Sequence, residues 1–234
     1  MKPVSKVLAV VTARKGSKRL RNKNLKLLLS KPLLHWTLKA GVESSTVTTC
    51  VLSTDCEDMR SLGQSMGAQV PFLRPAYLAS DTAKSIDVVL HSLDYFESQG
   101  AQFDYVILLQ PTSPLRTSKH IDEAFVQLLD RGSDGIISVC EVEHSPIWSG
   151  QLGRDNDMSH FLNMDFVNAR SQDLPPYFRL NGAIYIAKVD AIREQKSFFL
   201  KKNLQAYIMS QQESVDIDSE LDFKFAQLLM EETR

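Results

Sequence analysis

The 234-residue chain has few cysteines, no long apolar run and almost no net charge, and each shortage removes a class of protein. Its three cysteines, Cys50, Cys56 and Cys140, have neither a CxxC spacing nor an even count, so they read as free thiols in a reducing cytoplasm. No stretch approaches the roughly 20 apolar residues that cross a bilayer. Residues 7–13, behind Lys2 and Lys6, loosely resemble a secretory signal, but a basic cluster follows at once, and a first strand is the better reading. A formal charge of -1 would repel nucleic acid rather than gather it. Walker A, GxGxxG and GxSxG sequences are absent, and the histidines show no metal-ligand spacing, which disfavours covalent catalysis and a histidine-bound metal. Internal repeats and low-complexity segments are missing too.

What remains is an ordinary globular composition, 43% apolar and 24% charged, at a length that favours one domain over residues 1–234. Short apolar runs at 7–12, 48–53, 69–72, 105–109 and 135–139 alternate with amphipathic stretches at 33–44, 56–66, 85–98 and 121–131. That alternation predicts an α/β fold, a parallel sheet with helices on both faces. Within 85–98, Ile86, Val89, Leu90, Leu93 and Phe96 recur at spacings of three and four, the mark of one buried stripe. Residues 141–178 lose the rhythm and hold Pro146, Pro175 and Pro176, so they read as an irregular excursion. Ile147, Trp148, Phe161 and Phe166 in it need cover, which points to a partner subunit ahead of a substrate lid. Strand-like 183–187 and 205–209 and a helix at 221–232 complete the pattern, with Asn181-Gly182 read as a turn.

Against the neutral whole, Arg14, Lys15, Lys18, Arg19, Arg21, Lys23 and Lys26 crowd one glycine-containing loop after the first strand. Like charges packed so densely are unfavourable unless solvent or an anion compensates them, and a triphosphate is an economical anion. Gly16 frees backbone N–H groups, Ser17 adds a hydroxyl, and Arg14 and Lys23 bracket the loop with cations; a solvated charged face is the plain alternative. In Asp216-Ile217-Asp218 an extended backbone would send both carboxylates to one side, a minimal Mg²⁺ platform, although Asp218 or Ser219 could simply cap the following helix. The turn Gln110-Pro111-Thr112-Ser113-Pro114 would hold the Gln110 amide at the sheet's carboxyl edge, with or without a ligand. Phe198-Phe199 reads as core or pocket wall.

Ala13-Arg14-Lys15-Gly16-Ser17-Lys18-Arg19 with Lys23-Asn24, then Arg74-Pro75, Leu109-Gln110-Pro111-Thr112-Ser113-Pro114-Leu115-Arg116, residues 179–185 and Asp216-Ile217-Asp218-Ser219-Glu220-Leu221-Asp222 together resemble the acylneuraminate cytidylyltransferases, the bacterial CMP-sialic acid synthetases. The resemblance spans essentially the whole chain in order. It implies a three-layer α/β/α nucleotidyltransferase fold with a mostly parallel sheet and a homodimer built partly from residues 141–180. Arg14, Ser17, Lys23 and Asn24 would hold the triphosphate of CTP, with Arg74, Asp81 and Ser85 near base and ribose. Gln110, Arg170, Tyr185, Phe198 and Phe199 would form the sugar-acid pocket, and Asp216 and Asp218 would bind Mg²⁺. The implied reaction transfers CMP to the anomeric hydroxyl of a nine-carbon 2-keto sugar acid, N-acylneuraminate first, with Arg14, Lys23, Asp216 and Asp218 as the catalytic set. Trp148 stands where the sialic-acid enzymes tend to carry a lysine, which keeps legionaminic or pseudaminic acid in view, with the octulosonic acid Kdo third. A non-catalytic anion- or RNA-binding module would leave the paired aspartates without a task; no nucleic acid or membrane partner is expected.

Overall fold

The computed structural model describes residues 5–16, 19–161, 170 and 173–232. In chain order these form β1 (Val7–Ala13), β2 (Leu27–Leu28), β3 (Lys31–Pro32), α1 (Leu33–Glu43), β4 (Thr49–Thr54), α2 (Glu57–Ser65), α3 (Ser85–Ser98), β5 (Tyr105–Leu109), α4 (Ser118–Asp130), β6 (Gly135–Glu141), β7 (Phe178–Lys188), α5 (Val189–Gln195), β8 (Leu204–Ile208) and α6 (Glu220–Glu232). Six strands make the central sheet in the order β4-β1-β5-β7-β6-β8, and β2 with β3 forms a separate small hairpin.

The apolar run of β1 is buried on both sides because the sheet is covered on both sides. Val7, Ala9, Val11 and Ala13 join a core with Leu34, Leu38, Met59, Ile121 and Leu128, from α1, α2 and α4. Leu8 and Val10 face a second core with Val89, Leu93, Phe96 and Ile192, from α3 and α5. Each fully buried leucine or valine is worth about 1.5–3 kcal/mol against exposure, so this alternation also fixes the register. A third cluster joins Leu20, Leu28, Leu33, Val215, Ile217, Phe223 and Met230, packing α6 against the basic loop and the hairpin.

The sheet is mostly parallel, as the resemblance implies, and not wholly so as the alternation alone predicts: β7 runs antiparallel to both β5 and β6, while the other pairings are parallel. After β6 the described part of the excursion contains short 3-10 turns at Pro146–Trp148 and Arg154–Asn156 rather than a crossover helix, and the chain re-enters the sheet at the edge where it left. Residues 69–72 contribute one bridge, Val51 with Gln69, because Pro71 lacks the N–H a ladder needs. Asn181-Gly182 is no terminal turn but lies inside β7, at a register shift against Ile137 and Val139. There Asn181 Oδ1 accepts from Ser138 Oγ at 2.6 Å and from Ala183 N at 3.2 Å, while Nδ2 donates to Ser214 Oγ at 2.9 Å.

Candidate active site

Loops from β1, β5 and the start of β7 converge at the carboxyl edge of the sheet, where open α/β folds bind ligands. The basic loop is closed on itself by Asn24, whose buried amide donates to the Arg14 carbonyl at 3.0 Å. Arg14 Nη1 pairs with Asp81 Oδ1 at 2.7 Å and donates to the Ala79 carbonyl at 3.3 Å. From its far end, Lys23 Nζ reaches the Ile217 carbonyl at 2.6 Å and Asp218 Oδ1 at 3.3 Å, and Arg19 Nη1 meets Asp218 Oδ2 at 2.8 Å. The cationic loop and the acidic pair, nearly 200 residues apart in sequence, therefore share one place. Ser17 lies outside the described residues.

The acidic segment has the predicted alternation. Ile217 is fully buried and its N–H donates to the Thr112 carbonyl at 2.8 Å, while Asp216 and Asp218 emerge on the other side. Of the two caps the sequence offered, Ser219 serves and Asp218 does not: Ser219 Oγ accepts from Asp222 N at 3.3 Å, and Asp222 Oδ2 accepts from the backbone of Asp218 at 3.0 Å and of Ser219 at 2.7 Å. The Asp218 side chain is thus released to face the loop. Asp216 stays accessible to solvent yet is crowded by protein, and it does not line the cleft described below. That partial desolvation pushes its carboxyl above the ordinary range, a hydrogen bond with the Thr112 side chain pulls against it, and the charge of Asp218 adds to the rise.

Gly182 joins this group to the Gln110 turn. Its φ of 75° suits glycine, and a Cβ there would sit 3.1 Å from Gln110 Oε1 and 3.7 Å from Asp216 Oδ2. Beneath the turn, the fully buried Arg116 donates from Nη2 to Thr37 Oγ1 at 2.8 Å and to the Gln110 carbonyl at 3.2 Å, and from Nε to the Ala183 carbonyl at 3.3 Å. No carboxylate pairs with it among the described residues, and burial lowers its pKa to about 10. Tyr185 is buried with its ring 5.8 Å from Phe198 and 6.3 Å from Phe199. Burial, then the charge of Asp216, raises the Tyr185 phenol, so this aromatic wall adjoins the acidic pair.

An open cleft of about 440 Å³ brings together Arg14, Lys23, Asn24, Asp81, Ser85, Gln110 and Asp218, along with Thr12, Arg19 and Thr112. Arg74 stands apart: it is buried, donates from Nε to Ser53 Oγ at 3.0 Å and from Nη2 to the Ser53 carbonyl, and burial lowers its pKa to about 10. Arg170 is exposed in the excursion. Arg19 and Thr112 were missed as site residues, although the first belongs to the basic run and the second to the proline-bounded turn. Arg179, paired with Glu143 at 3.0 Å and raised first by that hydrogen bond, also feels Asp216. A larger concavity, about 780 Å³, lies at the opposite edge around Lys6, Asp104 and Lys188; the basic loop and the Gln110 turn line the smaller cleft instead, which makes that one the better candidate. Among the described residues no three His, Cys, Asp or Glu gather as a metal cluster.

Fold and cleft define an α/β protein of the nucleotidyltransferase class. The chain superposes with a TM-score of 0.71 on a CMP:2-keto-3-deoxy-manno-octonic acid synthetase complexed with CTP, covering 98% of this chain and 100% of the other, at 16% identity, a likeness of fold alone. A cytidylyltransferase family profile matches residues 8–228, and the chain belongs to that family. It is 37% identical over 227 residues to the CMP-N,N'-diacetyllegionaminic acid synthase of Legionella pneumophila, covering 97% of both chains. It is 35% identical to the N-acylneuraminate cytidylyltransferase of Escherichia coli, covering 95% of this chain but 51% of that one, so it spans about half of that relative. The pseudaminic acid cytidylyltransferase of Campylobacter jejuni is 29% identical, with 96% of each chain covered. No helix among the described residues is long and apolar enough to cross a membrane.

Proposed function

We propose that this protein transfers CMP from CTP to the anomeric hydroxyl of a nine-carbon 2-keto sugar acid. The observation that carries the reading is the contact of Lys23 with Ile217 and Asp218, which brings the basic loop against the segment that carries both aspartates, with Asp218 lining the cleft. The hydroxyl oxygen bonds to the α-phosphorus, the bond from that phosphorus to the bridging α,β-oxygen breaks, and pyrophosphate leaves. Arg14 and Lys23 bind and neutralise the departing phosphates, and Gln110 with the Tyr185, Phe198 and Phe199 wall orients the sugar acid. Asp216 stands to take the hydroxyl proton. Two carboxylates, with waters and phosphate oxygens, suit Mg²⁺, and Asp216 and Asp218 would hold it. When bound it supplies charge neutralisation on the phosphates and acidifies a coordinated hydroxyl.

The resemblance in sequence puts N-acylneuraminate first. Two observations favour legionaminic or pseudaminic acid, which replace hydroxyls by deoxy and acylamino groups. The half-buried Trp148 brings an aromatic surface where a cation would pair with a carboxylate, and the match to the Legionella synthase runs the full length of both proteins. Exposed Leu152, Met158, Tyr177 and Phe178 along the excursion and its return support the expected homodimer. Pyrophosphate release from CTP and Mg²⁺ with each acid in turn tests the reading: the preferred acid gives the highest kcat/KM, and inactivity with all of them rejects it.

A further inference from the structure

We propose that Asp218 occupies, in the free protein, the place of a ligand phosphate, and that a bound polyphosphate exchanges with it. This rests on the reading above for the identity of the nucleotide, but not for the exchange itself. Asp218 divides its two oxygens between two cations of the basic loop, Oδ2 to Arg19 at 2.8 Å and Oδ1 to Lys23 at 3.3 Å. Those pairs link residues 199 and 195 positions apart, and all three line the cleft. The carboxylate has no helix-capping duty to explain its position, because Asp222 and Ser219 discharge it. At the other end of the loop Arg14 is likewise held by an acid of the protein, Asp81, at 2.7 Å. The free cleft thus neutralises its own cations.

A carboxylate and a phosphate offer a guanidinium the same kind of charged acceptor, but a polyphosphate brings more charge and more oxygens. The Asp218 side chain is 52% exposed and that of Arg19 77% exposed, so breaking their pair costs little. Once phosphates hold Arg19 and Lys23, Asp218 is returned to the side of Asp216, and two neighbouring carboxylates then call for a cation. Polyphosphate and divalent metal therefore bind with positive coupling, each raising the affinity for the other by the same factor.

Calorimetric titration without metal, in EDTA, with inorganic pyrophosphate and with CTP, compares wild type with Asp218→Asn. Removing the internal competitor is expected to tighten pyrophosphate binding by about threefold to tenfold, the range a partly exposed ion pair supports. Affinity unchanged or weakened in this variant overturns the exchange. A second variant, Arg19→Gln, frees one Asp218 oxygen. It is expected to bind pyrophosphate more weakly and, without nucleotide, to bind Mn²⁺ more tightly than wild type in an electron-paramagnetic-resonance titration. Unchanged Mn²⁺ affinity again overturns the proposal. Should the wild type bind other nucleotides as well as CTP while Asp218→Asn still tightens pyrophosphate, the cytidylyl reading fails and the exchange stands.

Discussion

At the amino-terminal edge of the sheet, acids and bases are matched and gain from the match; at the carboxyl edge the loop cations are paired too, but Asp216 and Arg116 are held against their preference. Asp134 accepts from Lys188 at 2.7 Å and, with a further hydrogen bond from Asn203, is held below the ordinary carboxylate range. Arg193 pairs with Asp94 and Glu97, each at 2.7 Å. Across the sheet, Asp216 is pushed up by desolvation and by Asp218, and Arg116 is buried without a carboxylate. Electrostatics therefore stabilises the edge with the larger concavity, and at the edge with the smaller cleft it burdens these two groups. Such a burden persists only where something else selects for it, and ligand binding is the natural candidate.

The sharpest way to test that contrast is Asp216→Asn. Removing a carboxylate that the fold holds uncomfortably should leave the melting temperature unchanged or raised, while turnover falls by about 100-fold or more, the scale of losing a group that acts on the transition state. CTP affinity, measured by titration, should move far less. A variant that melts lower and turns over normally would reverse the contrast. Next in size is Arg116→Ala, which removes a donor from the Thr37 hydroxyl and from the Gln110 and Ala183 carbonyls and leaves a cavity. Urea unfolding should show a loss of about 3 kcal/mol. Arg116→Met, which refills the volume, should recover part of it.

The same contrast marks what could be read from sequence. Elements with a strong period appeared where expected, α3 (Ser85–Ser98) and β5 (Tyr105–Leu109) among them, because burial of one stripe or both faces leaves a local signature. Alternation likewise placed Asp216 and Asp218 on the side opposite Ile217. The reversal of β7 was not legible, since it depends on where the excursion returns the chain, and α5, seven residues long, offered too short a pattern. Nor did α4 show its start at Ser118: its capping box uses His120, whose Nδ1 accepts from Thr117 N at 3.2 Å, in place of the usual Glu or Gln. In the cleft, residue identities were legible and their pairings were not. Arg19 belongs to an obvious basic run, but only the packing of α6 by Phe223 and Met230 carries Asp218 to it.

A smaller effect on the carboxyl side comes from Gly182→Ala. The left-handed backbone and the approach to Gln110 Oε1 both resist a Cβ, so a loss of about 1–2 kcal/mol is expected in denaturant titrations. If Gln110 orients the sugar acid, the variant should also raise KM for that acid while KM for CTP stays within about twofold. Equal changes in both would detach the glycine from the acid pocket.

The smallest prediction lies at the other edge. Asp134→Asn breaks the Lys188 pair, whose side chains are 38% and 42% exposed, so solvent screening limits the loss to about 0.5 kcal/mol, roughly 1–2 °C in melting temperature. The sign follows from the direction of each shift. A carboxyl held below its ordinary value stabilises the fold above the unfolded pKa of about 3.9, and that contribution disappears as pH falls through the lower folded value. Lys188 is raised, chiefly by the same hydrogen bond, so its share is complete below the unfolded pKa of about 10.4 and is lost as pH climbs through the folded value. The gap in melting temperature between wild type and Asp134→Asn should therefore be flat from about pH 5 to 9 and close on the acid side first. Asp216→Asn should show the opposite sign, its advantage present at neutral pH and fading toward acid, where the wild-type carboxyl is protonated in both states. Parallel pH profiles for the two variants would mean that both edges treat their carboxylates alike.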